Sequence, residues 1–295
     1  MKLYAPKYYR RFRCIADRCE HNCCTDWEID IDSETLQKYK ALEGGYGEAV
    51  KKSISAGDVP HFKLSEGDRC PHLDERGLCR IILHLGEDYL CDICREHPRF
   101  YNHTEVAEVG IGMSCPEAAR VILSATDYMT FEEIGKVDGE AEDLPFDGRA
   151  ERRRVYELLG DGDLSYQERI DQICALYEIE RGEDAVWREQ LSQLEYLDEG
   201  HKALFLQYSS AFCPNINEVY LERFLAYLVF RHCTEAIDRE DFSVRLRFCL
   251  FLEALLASLL YIQKAETPRE IEELARVISE EIEYSEENTF ALIYG

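Results

Sequence analysis

Residues 14–24 read CIADRCEHNCC, and residues 70–98 read CPHLDERGLCRIILHLGEDYLCDICREHP. The first block is Cys14-x4-Cys19-x3-Cys23-Cys24. The second is Cys70-x8-Cys79-x11-Cys91-x2-Cys94, and Cys115 follows it. Nine of the chain's 13 cysteines therefore lie at or before Cys115, at short mixed spacings. Such spacing is the mark of thiolate metal ligation. Zinc takes four tetrahedral thiolates and a four-iron cluster takes up to four, so thiolate softness alone leaves both open. Adjacent Cys23 and Cys24 are poorly placed to ligate one metal together, so one of them faces a second centre or is simply buried. The other cysteines, Cys174, Cys213, Cys233 and Cys249, stand singly.

Groups beside the ligands extend the pattern. Arg69, Arg80, Arg95 and Arg99 can offset the negative charge of a thiolate-rich centre, or pair with acids such as Glu75 and Glu96. His72, His97 and His103 are further candidate ligands. Pro98 after His97 marks a turn, where a histidine more often bonds locally.

Outward from these blocks, the 295 residues are 46% hydrophobic and 11% aromatic, the composition of a folded chain. Lys and Arg number 34 against 59 Asp and Glu, a formal charge of −25. That balance argues against a nucleic-acid partner, since phosphate contacts need a basic surface. It suits basic, lysine-bearing ones. Residues 1–125 carry 17 basic and 21 acidic side chains, while residues 126–295 carry 17 and 38. The charge and cysteine asymmetries together suggest two parts with different jobs.

The start, MKLYAPKYYRRFRC, lacks the apolar run of a secretory signal. The most apolar stretch, FCLFLEALLASLLYI at 248–262, contains Glu253, is short for a bilayer and reads as a buried helix. No membrane partner and a cytoplasmic location are therefore expected. Reducing conditions there favour a metal site over disulfides.

Asp32-Ser33-Glu34 reads as a helix start, with Leu36, Tyr39 and Leu42 at helical spacing and Gly44-Gly45 as its stop. Residues 53–69 read as loop with a short strand at 61–64, and 110–114 as loop. Pro116 opens a helix, in the first turn where its missing N–H costs nothing. Residues 135–148, with three glycines and one proline, read as an acidic linker. Beyond it, 150–159, 165–180, 183–197, 200–212, 216–237, 240–264 and 268–283 carry apolar stripes near 3.6 spacing. Cys213-Pro214-Asn215 separates two of these helices. The expected fold is mostly α. A cysteine-rich, metal-binding region at 1–125 would be joined by a linker at 126–148 to an all-α bundle at 149–295. Neither a G-x-G-x-x-G turn nor a P-loop is present.

These motifs resemble a known family. The stretches are Tyr4-x-Pro-x-Tyr8-x3-Phe12-x-Cys14, Cys19-x3-Cys23-Cys24-x2-Trp27 and Leu85-Gly86-Glu87-x2-Leu90-Cys91-x2-Cys94-Arg95-x-His97-Pro98-Arg99. Ser114-Cys115-Pro116-Glu117 follows, and Tyr220–His232 and Glu283–Asn288 match more weakly. The assembly resembles the flagellin lysine-N-methylase family (FliB type), with an N-terminal region of the zinc- or iron-chelating CxxCxxCC kind. The resemblance implies methyl transfer from S-adenosylmethionine to lysine ε-amines of flagellin, in a protein carrying a cysteine-bound iron–sulfur cluster of the 4Fe-4S type. The candidate metal ligands, taken from their spacing, are Cys14, Cys19, Cys23, Cys24, Cys70, Cys79, Cys91, Cys94 and Cys115, thiols enough for two metals or for one cluster with some to spare. The C-x3-C-x2-C of radical enzymes is absent, because Asp26 stands where the third cysteine would be.

Lysine methylation needs a neutral amine, so Tyr8, Tyr9, His97 and Glu117 are candidates for handling its proton. Trp27 could stack on the donor's adenine, or pack on the metal site. Arg95 and Arg99 are the other cofactor-side candidates. The alternative is a non-enzymatic zinc- or iron-binding module, serving metal storage or delivery or a zinc-stapled protein interaction.

Overall fold

The computed structural model describes residues 1–25, 28–55, 57, 59–139, 145–211 and 218–295. It divides into two compact units. The larger comprises Met1–Phe12 and Arg99–Gly295; the smaller is Arg13–Pro98. In chain order the smaller unit is an insertion between the first strand of the larger unit and the rest of it.

The larger unit is built on a mixed four-stranded sheet of order β2-β3-β1-β4. Its strands are β1 (Lys2–Pro6), β2 (Arg99–His103), β3 (Ala107–Ile111) and β4 (Phe131–Lys136). β1 runs parallel to β3, with Leu3 opposite Ala107. β4 runs antiparallel to β1 and β2 antiparallel to β3. This corrects the expectation of an all-α bundle beside a cysteine-rich region. The fold is helix-rich, but a sheet gathers the first residues of the chain, residues 99–111 and residues from the expected linker. Short strands escape periodicity. β3 is buried along its whole length, so no polar–apolar alternation marks it.

The polar group that disguises β3 is Glu108, fully buried. Arg152 answers it with two bonds of 2.7 and 2.9 Å and also donates to Thr234 at 2.7 Å. A buried carboxylate is tolerable only with such a partner. Gly110 is required for a different reason. A Cβ there would lie 2.3 Å from the Phe100 ring and 2.7 Å from the Phe230 ring.

Helices α5 (Pro116–Leu123), α6 (Gly148–Leu159), α7 (Tyr166–Leu176), α8 (Asp184–Gln193) and α9 (Glu199–Phe205) precede α10 (Glu218–Cys233) and α11 (Arg239–Gln263). Then come α12 (Pro268–Ile278), a π-helical turn at Ser279–Glu283, and α13 (Glu286–Tyr294). Caps fix several starts as the sequence suggests. Ser165 and Thr267 form capping boxes with Glu168 and Glu270. α11 is long and apolar enough to cross a membrane by length and composition, but most of its apolar window is buried inside this unit. It packs on α10, α12 and α13.

The smaller unit has α1 (Ser33–Lys40), α2 (Gly44–Ser53), α3 (Arg80–Leu85) and α4 (Asp92–Glu96). Asp32 caps α1 by accepting from Thr35 N at 2.8 Å. Gly44-Gly45 does not simply end a helix. Gly44 turns the chain at φ +84° and opens α2. The core here is small: Ile29, Ile31, Tyr39, Val50, Phe62, Cys70, Ile81 and Cys91. Cys213-Pro214-Asn215, Asp26, Trp27 and part of the expected linker lie outside the described residues.

A candidate thiolate centre

Backbone pairing brings the two cysteine blocks together. Cys70 N donates to the Cys24 carbonyl at 2.7 Å, and Thr25 bridges Arg69 beside it. Leu73 bridges Cys79, which N-caps α3. Cys91 N-caps α4, and Cys94 lies inside that helix one turn on. The result is a cluster of six thiols: Cys23, Cys24, Cys70, Cys79, Cys91 and Cys94.

The six perturb one another. Hydrogen bonding from Cys24 lowers the Cys23 thiol to about 7 and raises its partner. The same asymmetry holds for Cys91, lowered, and Cys94, raised. Burial pushes Cys70 up to about 11 and raises Cys79, with neighbouring thiolates adding to both. Cys70 and Cys91 are buried, Cys24, Cys79 and Cys94 half-buried and Cys23 exposed; six thiolates this close repel each other, and ionising them together calls for a cation among them. Tyr39 adds a hydroxyl that donates to the Tyr89 carbonyl at 2.6 Å and lies 3.6 Å from Cys91 Sγ. Sequence reasoning read Tyr39 only as part of an apolar stripe. Its role depends on a contact 52 residues away.

The spacing of the sulfurs bears on what they suit. Zn–S bonds of about 2.3 Å put the thiolates of a single zinc about 3.8 Å apart. Among the described residues, no three of these sulfurs lie within 4.8 Å of one another. Cys23 and Cys24, and likewise Cys91 and Cys94, lie within hydrogen-bond reach of each other, so the donor set leaves both zinc and an iron–sulfur cluster open.

The remaining expected site residues are distributed. Cys14 and Cys19 belong to the smaller unit, Cys14 exposed and Cys19 bonded through its thiol to the His21 carbonyl. Cys115 belongs to the larger unit, as the N-cap of α5. Arg95, in the smaller unit, pairs with Asp92 and lies 3.7 Å from Glu96. Arg99, on β2 of the larger unit, donates to Tyr9 Oη at 2.9 Å. Arg80 stands over the Tyr46 ring, with its carbon 5.9 Å from the centroid. His72 is buried with both ring nitrogens engaged, by Tyr46 Oη at 3.1 Å and Ser53 Oγ at 2.9 Å. Burial lowers it to about 4, so it stays neutral. His103 lies at the end of β2, its ring stacked on Tyr101.

Of the proton-handling candidates, Tyr8 is buried in the larger unit, and burial raises its phenol well above the usual value. Glu117, in α5, accepts two bonds from Arg120 at 2.8 and 2.6 Å. His97 ends the smaller unit, and its peptide bond to Pro98 is cis.

Besides Glu108 and Arg152, the larger unit holds a buried polar network around Glu283 that the sequence did not announce. Tyr227 Oη lies 3.1 and 3.2 Å from the two Glu283 oxygens and accepts from Arg231 at 2.9 Å and from Met113 N at 3.2 Å. His232 Nε2 bonds Glu283 Oε1 at 2.7 Å. Burial works to raise the Glu283 carboxyl, but Arg231 and His232 outweigh it and the carboxyl sits below its usual value. Every member is satisfied, so the network pins α10 to the π-helical turn.

Comparison with known proteins places the chain. No protein-family model matches it, and no solved structure does. It is 30% identical over 141 residues to a lysine-N-methylase of Salmonella typhimurium, covering 43% of this chain and 34% of that protein. It is 30% identical over 141 residues to the flagellar biosynthetic protein FliU of Salmonella muenchen, covering 80% of that protein. A lysine-N-methylase of Salmonella choleraesuis is 29% identical over 141 residues. The matched region spans about a third of the length of the two lysine-N-methylases. With four-fifths of FliU covered at this identity, the chain belongs to the flagellin lysine-N-methylase family.

Proposed function

We propose that the protein transfers methyl groups from S-adenosylmethionine to lysine ε-amines of flagellin or another lysine-presenting protein, and that its smaller unit carries a cysteine-bound iron–sulfur cluster of the 4Fe-4S type. Membership of a family whose relatives are named lysine-N-methylase carries the first part of this reading. The flagellar name of a further relative supports the choice of acceptor. The cluster of six thiols, more than the four a four-iron cluster takes, supports the second part.

The overall reaction forms an N–C bond at the lysine nitrogen and breaks the S–CH3 bond of the donor. The S–C electron pair stays on sulfur as S-adenosylhomocysteine, and the ammonium proton leaves to solvent or a base. When bound, the cluster supplies a site of tunable charge and potential close to its thiolate ligands. The chain's own contribution is to hold six thiols together at small apolar cost. Its net charge of −25 favours approach of a lysine-bearing partner over an acidic one.

The test is a methylation assay on protein purified without oxygen and reconstituted with iron and sulfide. With methyl-labelled S-adenosylmethionine and flagellin, label is expected on flagellin lysines. The reading fails if flagellin remains unlabelled while the protein carries a full cluster and binds the donor.

A further inference from the structure

Helix α5 of the larger unit starts with its hydrogen bonds unmet. Cys115 is the N-cap but makes no side-chain cap, and Pro116 carries no N–H. The first bond of the helix runs from Ala119 N to the Cys115 carbonyl at 2.9 Å. Among the described residues the amides of Glu117 and Ala118 meet no acceptor, although Glu117 is only 9% exposed and Ala118 is 0% exposed. A buried N–H without a partner is rare, and a buried helix end in that state is incomplete. At α7, α12 and α13 the corresponding amide is met by Ser165, Thr267 and Ser285. The Glu117 side chain does not do this for α5, because Arg120 takes both of its oxygens.

A side chain at the same end repeats the deficit. Ser114, directly before the N-cap, is 8% exposed, and its buried Oγ has no hydrogen-bond partner among the described residues. The amide just before it is occupied, since Met113 N donates to Tyr227 Oη at 3.2 Å. The unmet donors are therefore Ser114 Oγ, Glu117 N and Ala118 N, gathered within five residues. Cys115 and Pro116 between them are half-exposed, so solvent reaches this end of the helix. Amide and hydroxyl donors at the positive end of a helix suit an anion, and a carboxylate has two oxygens to accept them.

We infer that the start of α5 binds a carboxylate, the α-carboxylate of S-adenosylmethionine. That group is the donor's only anionic one. The identity of the ligand rests on the methyl-transfer reading; the unmet donors do not. The methionine end of the donor then lies against Ser114 and the first turn of α5.

The test is calorimetry on the full, cluster-loaded chain with two ligands that share the nucleoside. S-adenosylhomocysteine carries the carboxylate and methylthioadenosine lacks it. Wild type is expected to bind the first at least tenfold more tightly, the worth of about one hydrogen bond to a charged group. Ser114→Ala removes an unpartnered hydroxyl, so it should keep the wild-type melting temperature. It should weaken S-adenosylhomocysteine about tenfold and leave methylthioadenosine unchanged. Cys115→Asp supplies a side-chain cap for the same amides, so it should raise the melting temperature and abolish the preference. A wild type that binds both ligands equally, or either variant keeping the full preference, would overturn the inference and assign the unmet donors to buried water. The methyl-transfer reading would then stand, because the donor still binds. A wild type that binds neither ligand would overturn both.

Discussion

The two units differ in what holds them together. The larger one buries a continuous apolar core running from Tyr8 and Phe12 through α5, α10 and α11 to Ile293. The smaller one, residues 13–98, has eight buried apolar residues among those described, and two of them are the cysteines Cys70 and Cys91. A core that small supplies little stability once chain entropy is counted. The comparison teaches that two cysteines of the smaller unit, Cys70 and Cys91, are part of its core as well as candidate ligands. In the larger unit cysteine is ordinary core material: Cys233 and Cys249 lie side by side at 3.7 Å, both fully buried.

The sharpest way to break the comparison is to remove a thiol from each unit. Cys91→Ser should strip iron from the protein and unfold residues 13–98. Cys249→Ser should leave the iron content unchanged. Hydrogen exchange with metal analysis reads both, and equal iron loss in the two variants would refute the division of roles. Next in size is Phe224→Ala in α10, which is fully buried. It should destabilise the larger unit by about 3–5 kcal/mol, with protection in the smaller unit unchanged. Denaturant titration with exchange read unit by unit checks this.

A third prediction concerns Glu253, buried in α11 with Tyr166 Oη at 3.0 Å. Burial raises its carboxyl from 4.5 to about 7, against the lowering effects of Tyr166 and Arg181. Between those values the folded state keeps a proton that the unfolded chain has lost. Stability of the larger unit therefore falls as pH rises from about 4.5 to 7. Each pH unit costs about 1.4 kcal/mol, roughly 3 kcal/mol in all. Glu253→Gln should stabilise the larger unit by up to about 3 kcal/mol at pH 8 and by nothing at pH 4. A gain that is the same at both pH values contradicts the account. The smallest effect is at the α12 capping box. Thr267→Ala should cost about 1 kcal/mol, seen as a small drop in the melting temperature of the larger unit.

What could be read from the sequence follows the same division. The helices after residue 148 were legible because long stripes such as Leu221, Leu225, Leu228 and Val229 repeat at helical spacing. The sheet was not. β4 reads FEEIGK and resembles an acidic linker, because the partner of Glu133 is Lys2, at 2.8 Å from the far end of the chain. Glu108 hid β3, since its counter-ion Arg152 lies 44 residues on. α2 was hidden by reading Gly44-Gly45 as a stop, and α13 by its weak stripe. At the site, cysteine spacing singled out the two blocks as candidate ligands. Which thiols meet depends on the pairing of Cys24 with Cys70, a long-range contact that spacing does not encode.

The most direct measurement is the iron, zinc and acid-labile sulfide content of protein purified without oxygen, with its absorption spectrum. The account predicts about four irons and four sulfides per chain and a broad visible absorption from thiolate-ligated iron. Stoichiometric zinc without sulfide would contradict it, reducing the six-thiol cluster to a structural staple.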